Sequence, residues 1–266
     1  MPAITRNGLK LHFDTQGDGP AIVLCHSFLC SGKIWQPQLQ MLSERHTVIN
    51  VDFRGHGQSG PADVPCTLND LVDDVVAILD HLQIDKAIWF GLSIGGMVAM
   101  RAAINHPARV KALVLFDTDA GEEDRWVRWR NRALGLVTRM FGIRPVLPKV
   151  EQLMFGSTTR RSQPELLEQW RAEFLAVRVA SAMRMLGALN TRQDLTSKLK
   201  SLQLPALVVV GAEDKALPPD RSRAIAAAIN GSQFEMIENS GHVPTLEKPA
   251  AVNKIVRDFL DRIDGP

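Results

Sequence analysis

The feature that most constrains this chain is an alternation. Six short apolar runs, Ala21–Cys25, Thr47–Val51, Ala87–Phe90, Ala112–Phe116, Ala206–Val210 and Phe234–Ile237, recur along it. Runs of that length with no polar face are what strands buried on both sides require. Amphipathic helical patterns lie between them: Leu68, Val72, Val75, Leu79 and Leu82 repeat at intervals of four and three, which makes one apolar stripe. Thr67 and Asp70 resemble a capping box at its start. Strand–helix alternation predicts a mostly parallel sheet covered by helices on both faces. Ahead of it, Ala3–Arg6 and Leu9–Asp14 flank Asn7-Gly8, the pair preferred by a type I′ hairpin turn because both central residues need positive φ.

The alternation stops at Phe116 and resumes at Leu204-Pro205. Between about 122 and 199 only helical stretches occur, broken by Gly142, Pro145, Pro148, Gly156 and Pro164. At 266 residues the chain suits one large domain carrying an insertion. The expected division is a core of residues 1–120 and 201–266 with a helical cap over 121–200. That cap holds fifteen Lys or Arg against eight Asp or Glu, while the whole chain has a net charge of only +2. A solvated set of amphipathic helices would account for this; so would a basic lid over a site for anionic substrates.

Composition narrows the partners. The apolar fraction of 45% and charged fraction of 23% are those of a globular protein. No run of eighteen apolar residues occurs, so no membrane partner is expected, and the near-neutral charge argues against nucleic acid. The N-terminus lacks a secretory apolar segment, and Cys25, Cys30 and Cys66 form no CxxC and cannot all pair. Both point to a cytoplasmic, reducing setting. No His, Cys and carboxylate cluster has metal-ligand spacing, and no cofactor is expected.

The chemistry centres on Gly91-Leu92-Ser93-Ile94-Gly95, between the Ala87–Phe90 run and a helical pattern carrying Met97, Val98, Met100 and Ala102. G-x-S-x-G arises by accident in roughly one chain in ten of this length. Its placement here is that of a nucleophile on a sharp strand-to-helix turn, where small flanking residues let backbones approach. A serine hydroxyl needs a base and an acid to orient it. His242, in Ser240-Gly241-His242, follows the last run, and Asp214, in Gly211-Ala212-Glu213-Asp214, follows Ala206–Val210. Both lie at carboxyl ends of strands, in the order Ser, Asp, His. Asp214 could instead cap the helix beginning near Pro218, and Glu213 and Asp119 are rival acids. Two backbone N–H groups must hold the oxyanion; those of Ile94 and of Phe28, in His26-Ser27-Phe28, are the expected pair.

These residues resemble the α/β-hydrolase superfamily over nearly the whole chain. His26-Ser27-Phe28 looks like its oxyanion loop, Asp52-Phe53-Arg54-Gly55-His56-Gly57-Gln58-Ser59 like its strand-four loop, and Gly91–Gly96 like its nucleophile elbow. The resemblance implies an eight-stranded sheet with a helical cap after strand six. Most relatives have glycine where this chain has Ser27; if the position needs positive φ, serine would be strained there. Ser27, Ser93-Ile94-Gly95-Gly96-Met97 and Phe116-Asp117-Thr118 look most like the 3-oxoadipate enol-lactonase branch and its esterase relatives. That branch implies a substrate with a carboxylate, which would suit a basic cap. Dehalogenase and epoxide hydrolase branches carry aspartate at the elbow and dienelactone hydrolases cysteine, whereas cofactor-free perhydrolases share the triad.

The resulting expectation is a serine carboxylic ester hydrolase acting on a small ester or lactone through Ser93, Asp214 and His242. A non-catalytic binding protein on the same fold is the rival class. Gly55-His56-Gly57-Gln58-Ser59-Gly60 matches a dinucleotide fingerprint literally, but Pro61 and Pro65 delay the helix that should meet the pyrophosphate. Trp126, Trp129 and Trp170, with Met140, Met154, Met183 and Met185, are expected to line the cap or pack its helices together.

Overall fold

The computed structural model describes residues 2–265. Its eight strands are β1 (Ala3–Arg6), β2 (Leu9–Gln16), β3 (Ala21–Cys25), β4 (Thr47–Val51), β5 (Ala87–Leu92), β6 (Val110–Phe116), β7 (Ala206–Gly211) and β8 (Gln233–Ile237). They form one sheet in the order β1-β2-β4-β3-β5-β6-β7-β8. The hairpin turns at Asn7 and Gly8, whose φ values are 50° and 78°, with Arg6 opposite Leu9. β2 also runs antiparallel to β4. From β4 to β8 every pairing is parallel.

The helices are α1 (Gln36–Ser43), α2 (Leu68–His81), α3 (Ile94–Asn105), α4 (Arg125–Phe141), α5 (Leu147–Met154), α6 (Ser157–Ser162), α7 (Pro164–Ala176), α8 (Val179–Asn190), α9 (Thr196–Leu199), α10 (Pro219–Ala228), α11 (Pro244–Glu247) and α12 (Pro249–Asp264). Alternate residues of each buried strand serve opposite cores. Val23, Trp89, Leu113 and Val208 pack with α2, α3 and α10; Ile22, Leu24, Phe90, Val114 and Val209 pack with α1 and α12. Helices on both faces thus explain why these strands carry no polar side. The start of α2 is fixed by a capping box, with Asp70 N–H donating to Thr67 Oγ1 and Thr67 N–H to the Asp70 carboxylate.

Helices α4 to α9 all fall between β6 and β7. Met185, Ala188 and Leu199 join one core, and Phe155, Trp170 and Phe174 the other. Trp126, Trp129 and Met140 depart from the sequence expectation: α4 leaves them largely exposed, and none of the three lines the pocket beside Ser93. Among the described residues, no helix is long and apolar enough to cross a membrane.

Candidate active site

β5 ends at Leu92 and α3 begins at Ile94, leaving Ser93 alone at the turn with φ 57° and ψ −117°. Positive φ is costly for a serine and must be held by its surroundings. Ser93 N–H donates to Phe116 O at 2.9 Å, and Thr118 Oγ1 donates to Ser93 O at 2.7 Å. The flanking glycines are spatial necessities. A Cβ on Gly91 would lie 2.3 Å from the carbonyl carbon of Gly95, and one on Gly95 would lie 2.1 Å from Cys25 O. The turn therefore seats directly on the end of β3.

The loop after β3 is tied to the β4 loop through His26. Its Nε2 accepts the N–H of Phe53 at 2.9 Å, so the proton sits on Nδ1 and is donated to Ser27 O at 2.7 Å. Burial lowers the basicity of this ring, which keeps it neutral in that tautomer. Ser27 does not occupy the left-handed region; Leu29 does, with φ 60°. The departure from glycine at position 27 consequently carries no backbone strain. The N–H groups of Phe28 and Ile94 have no acceptor among the described residues.

His242 follows β8, and its Nδ1 lies 2.8 Å from Asp214 Oδ2. Asp214 follows β7, and its Oδ1 accepts the N–H groups of Ala216 and Leu217 at 2.8 and 3.0 Å. Both side chains are buried. The rival acids have other partners. Asp119 accepts from Arg192 at 2.9 Å. Glu213 accepts from Ser157 and Thr158 at the start of α6, and these donors hold its carboxyl down to about 2.

Two residues beyond the expected set complete this corner. Glu247 accepts the N–H groups of Gly241 and Val243, on either side of His242, and that of Gly156. Asp117, wholly buried at the end of β6 with φ 43°, accepts Gly211 N–H at 2.9 Å. Ligating atoms of Asp117, Asp214 and His242 lie within 4.8 Å of one another. Burial and the neighbouring Asp214 raise the Asp117 carboxyl far above the usual carboxylate range. A neutral acid beside a His–Asp hydrogen bond is a proton-sharing cluster rather than a cation site. The sequence marked Asp117 by its place at a strand end and within Phe116-Asp117-Thr118, without assigning it a role.

Ser93, His242 and Phe28 line one pocket of about 190 Å3, walled by Leu134, Ile143, Val150 and Leu186 from the inserted helices. A larger, polar cavity of about 630 Å3 opens by β2, β4 and the end of α7, away from Ser93 and His242. Gly55 and Gly57 border it with positive φ, yet a Cβ on Gly57 would strike the Asp52 carboxylate at 2.2 Å. That carboxylate takes the N–H groups of Gly32 and Gln58. The glycine-rich loop therefore wraps a side chain of its own protein where a dinucleotide loop would offer its donors to phosphate.

A strand-to-helix serine with a His–Asp pair at neighbouring strand ends is the arrangement of a hydrolase sheet. The chain belongs to the alpha/beta hydrolase fold family, whose model matches residues 20–249. It is similar to 3-oxoadipate enol-lactonase 2 of Acinetobacter baylyi, with 28% identity covering 98% of this chain and 97% of the relative. Among solved structures it is similar to a thermophilic esterase from Thermogutta terrifontis, with a TM-score of 0.92 and 29% identity over 98% of this chain and 97% of that one. The enol-lactonase from Burkholderia xenovorans LB400 gives a TM-score of 0.91 and 29% identity over 97% and 99% of the two chains. These likenesses support hydrolase activity.

Proposed function

We propose that the protein is a serine carboxylic ester hydrolase acting on small esters or lactones through an acyl-enzyme. The observation that carries this reading is one pocket lined by both Ser93 and His242, with His242 Nδ1 held by buried Asp214 at 2.8 Å. His242 Nε2 takes the proton of the Ser93 hydroxyl as its oxygen attacks the carbonyl carbon. Asp214 fixes the tautomer and stabilises the imidazolium. The N–H groups of Ile94 and Phe28 hold the oxyanion, and α3 presents its positive end to it. As the C–O bond breaks, His242 returns the proton to the leaving oxygen. Water, deprotonated by His242, then adds to the acyl carbon and releases the acid together with Ser93.

We propose further that residues 121–200 act as a cap that selects the substrate. Its contribution to the pocket is mostly apolar, which suits an alkyl or acyl chain. A second reading, a lactone or ester bearing a carboxylate, is favoured by Arg130. This arginine lines the pocket with its Nε buried and without a partner among the described residues. By contrast, Arg192 is taken up by Glu123 and Asp119, and Lys149 by Gln152. A buried donor left unmatched favours a ligand that matches it.

Ser93→Ala tests the mechanism: turnover of p-nitrophenyl esters should fall by more than about a thousandfold with the fold intact. A serine-directed phosphonate should label Ser93 in the wild type. Near-full turnover in the variant defeats the mechanism, and absence of labelling in folded protein favours a binding role.

A further inference from the structure

Helix α4 carries two apolar faces. The inner one, with Val127, Leu134, Gly135 and Thr138, walls the pocket that contains Ser93. The outer one is open to solvent: Trp126 is 79% exposed, Trp129 64%, Leu136 59% and Met140 59%, with Phe141 at 65% beside them. Positions 126, 129, 133, 136 and 140 follow the three-and-four spacing of a single stripe, so these side chains form one continuous strip. It extends for roughly 20 Å along the axis. The two indoles lie edge to face, with ring centroids 6.0 Å apart.

A row of cations runs beside the strip. Arg125, Arg132 and Arg139 precede Trp126, Ala133 and Met140 at the same seven-residue interval. All three are exposed, and none forms an ion pair among the described residues. Arg128, on the same flank, reaches Glu122 outside the helix at 3.5 Å. The seventeen residues of α4 hold five arginines and no acid.

We propose that the outer face of α4 is a docking surface for an anionic phospholipid membrane, with Trp126, Trp129, Leu136 and Met140 seated at the headgroup boundary beside Arg125, Arg132 and Arg139. The chemistry that fits is specific. An apolar strip rich in Trp, low in overall hydrophobicity and edged by arginine, lies in the plane of a bilayer interface, where indole rings are favoured. Arginine forks match lipid phosphates. A second copy of the chain fits less well. A twofold pairing of two α4 strips brings arginine rows to helices that contain no acid to meet them. The surface lies one helix thickness, about 10 Å, from the pocket wall, so a docked enzyme would meet esters dissolved in the lipid.

The test is flotation of the full-length protein with vesicles of phosphatidylglycerol and phosphatidylcholine in equal parts, and with phosphatidylcholine alone. The protein should float with the anionic vesicles, bind the neutral ones at least tenfold less, and release as salt rises. Arg125→Gln, Arg132→Gln and Arg139→Gln combined should weaken binding about a hundredfold. Trp126→Ser with Trp129→Ser should abolish it while the thermal midpoint holds. No binding to anionic vesicles at low salt overturns the proposal, as does equal binding by wild type and variants. A wild-type dimer dispersed by the Trp126→Ser, Trp129→Ser variant would assign the face to self-association and likewise overturn it. These readouts are independent of hydrolysis.

Discussion

The carboxyl of Asp117 lies against that of Asp214 in a space closed to solvent, and the two share the neighbourhood of a single histidine. Two carboxylates at that range cannot both stay ionised. Asp214 accepts from Ala216, Leu217 and His242 Nδ1, whereas among the described residues Asp117 accepts only from Gly211. The proton therefore resides on Asp117. Its Oδ2, which has no donor among the described residues, then becomes a donor toward Asp214.

Asp117→Asn is accordingly expected to stabilise the protein at pH 7. The raised carboxyl must gain a proton on folding above its ordinary value of 3.8, so its contribution is best below that pH and is lost as pH rises toward the folded value. Asparagine donates to Asp214 and accepts from Gly211 with no such cost, and tolerates φ near 43°. The gain over wild type should shrink toward pH 4, at about 1.4 kcal/mol per pH unit. Asp117→Ala should instead lose about 1–3 kcal/mol through the orphaned Gly211 N–H and lower turnover. Urea midpoints across pH distinguish the two.

His56 gives the opposite slope. Burial holds its ring down to about 3, from an ordinary 6.5. The unfolded chain then binds more protons between those values, so stability falls as pH drops below 6.5. His56→Asn should be less stable than wild type at pH 8, through lost packing against Phe28 and His26. The deficit should narrow by up to about 1.4 kcal/mol per unit between pH 6 and 4.5, as read from denaturant midpoints.

Gly95→Ala should be among the most damaging single changes. Its Cβ would stand 2.1 Å from Cys25 O, between the elbow and the end of β3. A backbone shift is needed to admit it, costing about 3 kcal/mol or more. Thermal unfolding together with esterase assay should show both stability and turnover falling.

Arg130→Gln separates the two substrate readings. If the arginine engages a substrate carboxylate, KM for anionic lactones should rise about tenfold to a hundredfold, with neutral p-nitrophenyl esters unchanged. Equal effects on both would leave the neutral ester reading alone.

The strand framework was legible because burial on both faces leaves no polar residue in β3, β5 or β7. Asp214 and His242 were legible as strand-end residues in the right order. Asp117 was hidden by its neighbour. Asp117 and Asp119 stand two residues apart and both are buried; the positive φ at 117 and the arginine beside 119 decide that Asp117 is the one facing Asp214. Glu247 was hidden because its three partners are backbone N–H groups, which carry no sequence signature. The outward turn of Trp126 and Trp129 was illegible for a related reason. A three-and-four spacing reads alike whether the stripe meets a core or water.

The place where the chain leaves the sheet has a further consequence. β6 and β7 are hydrogen-bonded neighbours, with Leu113 opposite Ala206 and Phe116 opposite Val209. Everything from α4 to α9 therefore leaves at the carboxyl end of β6 and returns to the amino end of the parallel strand beside it, crossing from one edge of the sheet to the other. Such an excursion can lengthen, shorten or be exchanged as a cassette without altering the register of a single strand. If the proposed cap role holds, grafting the corresponding segment of another hydrolase between 117 and 205 would move selectivity and surface character together, provided the graft again supplied the donors that Glu247 and Glu213 take from Gly156, Ser157 and Thr158.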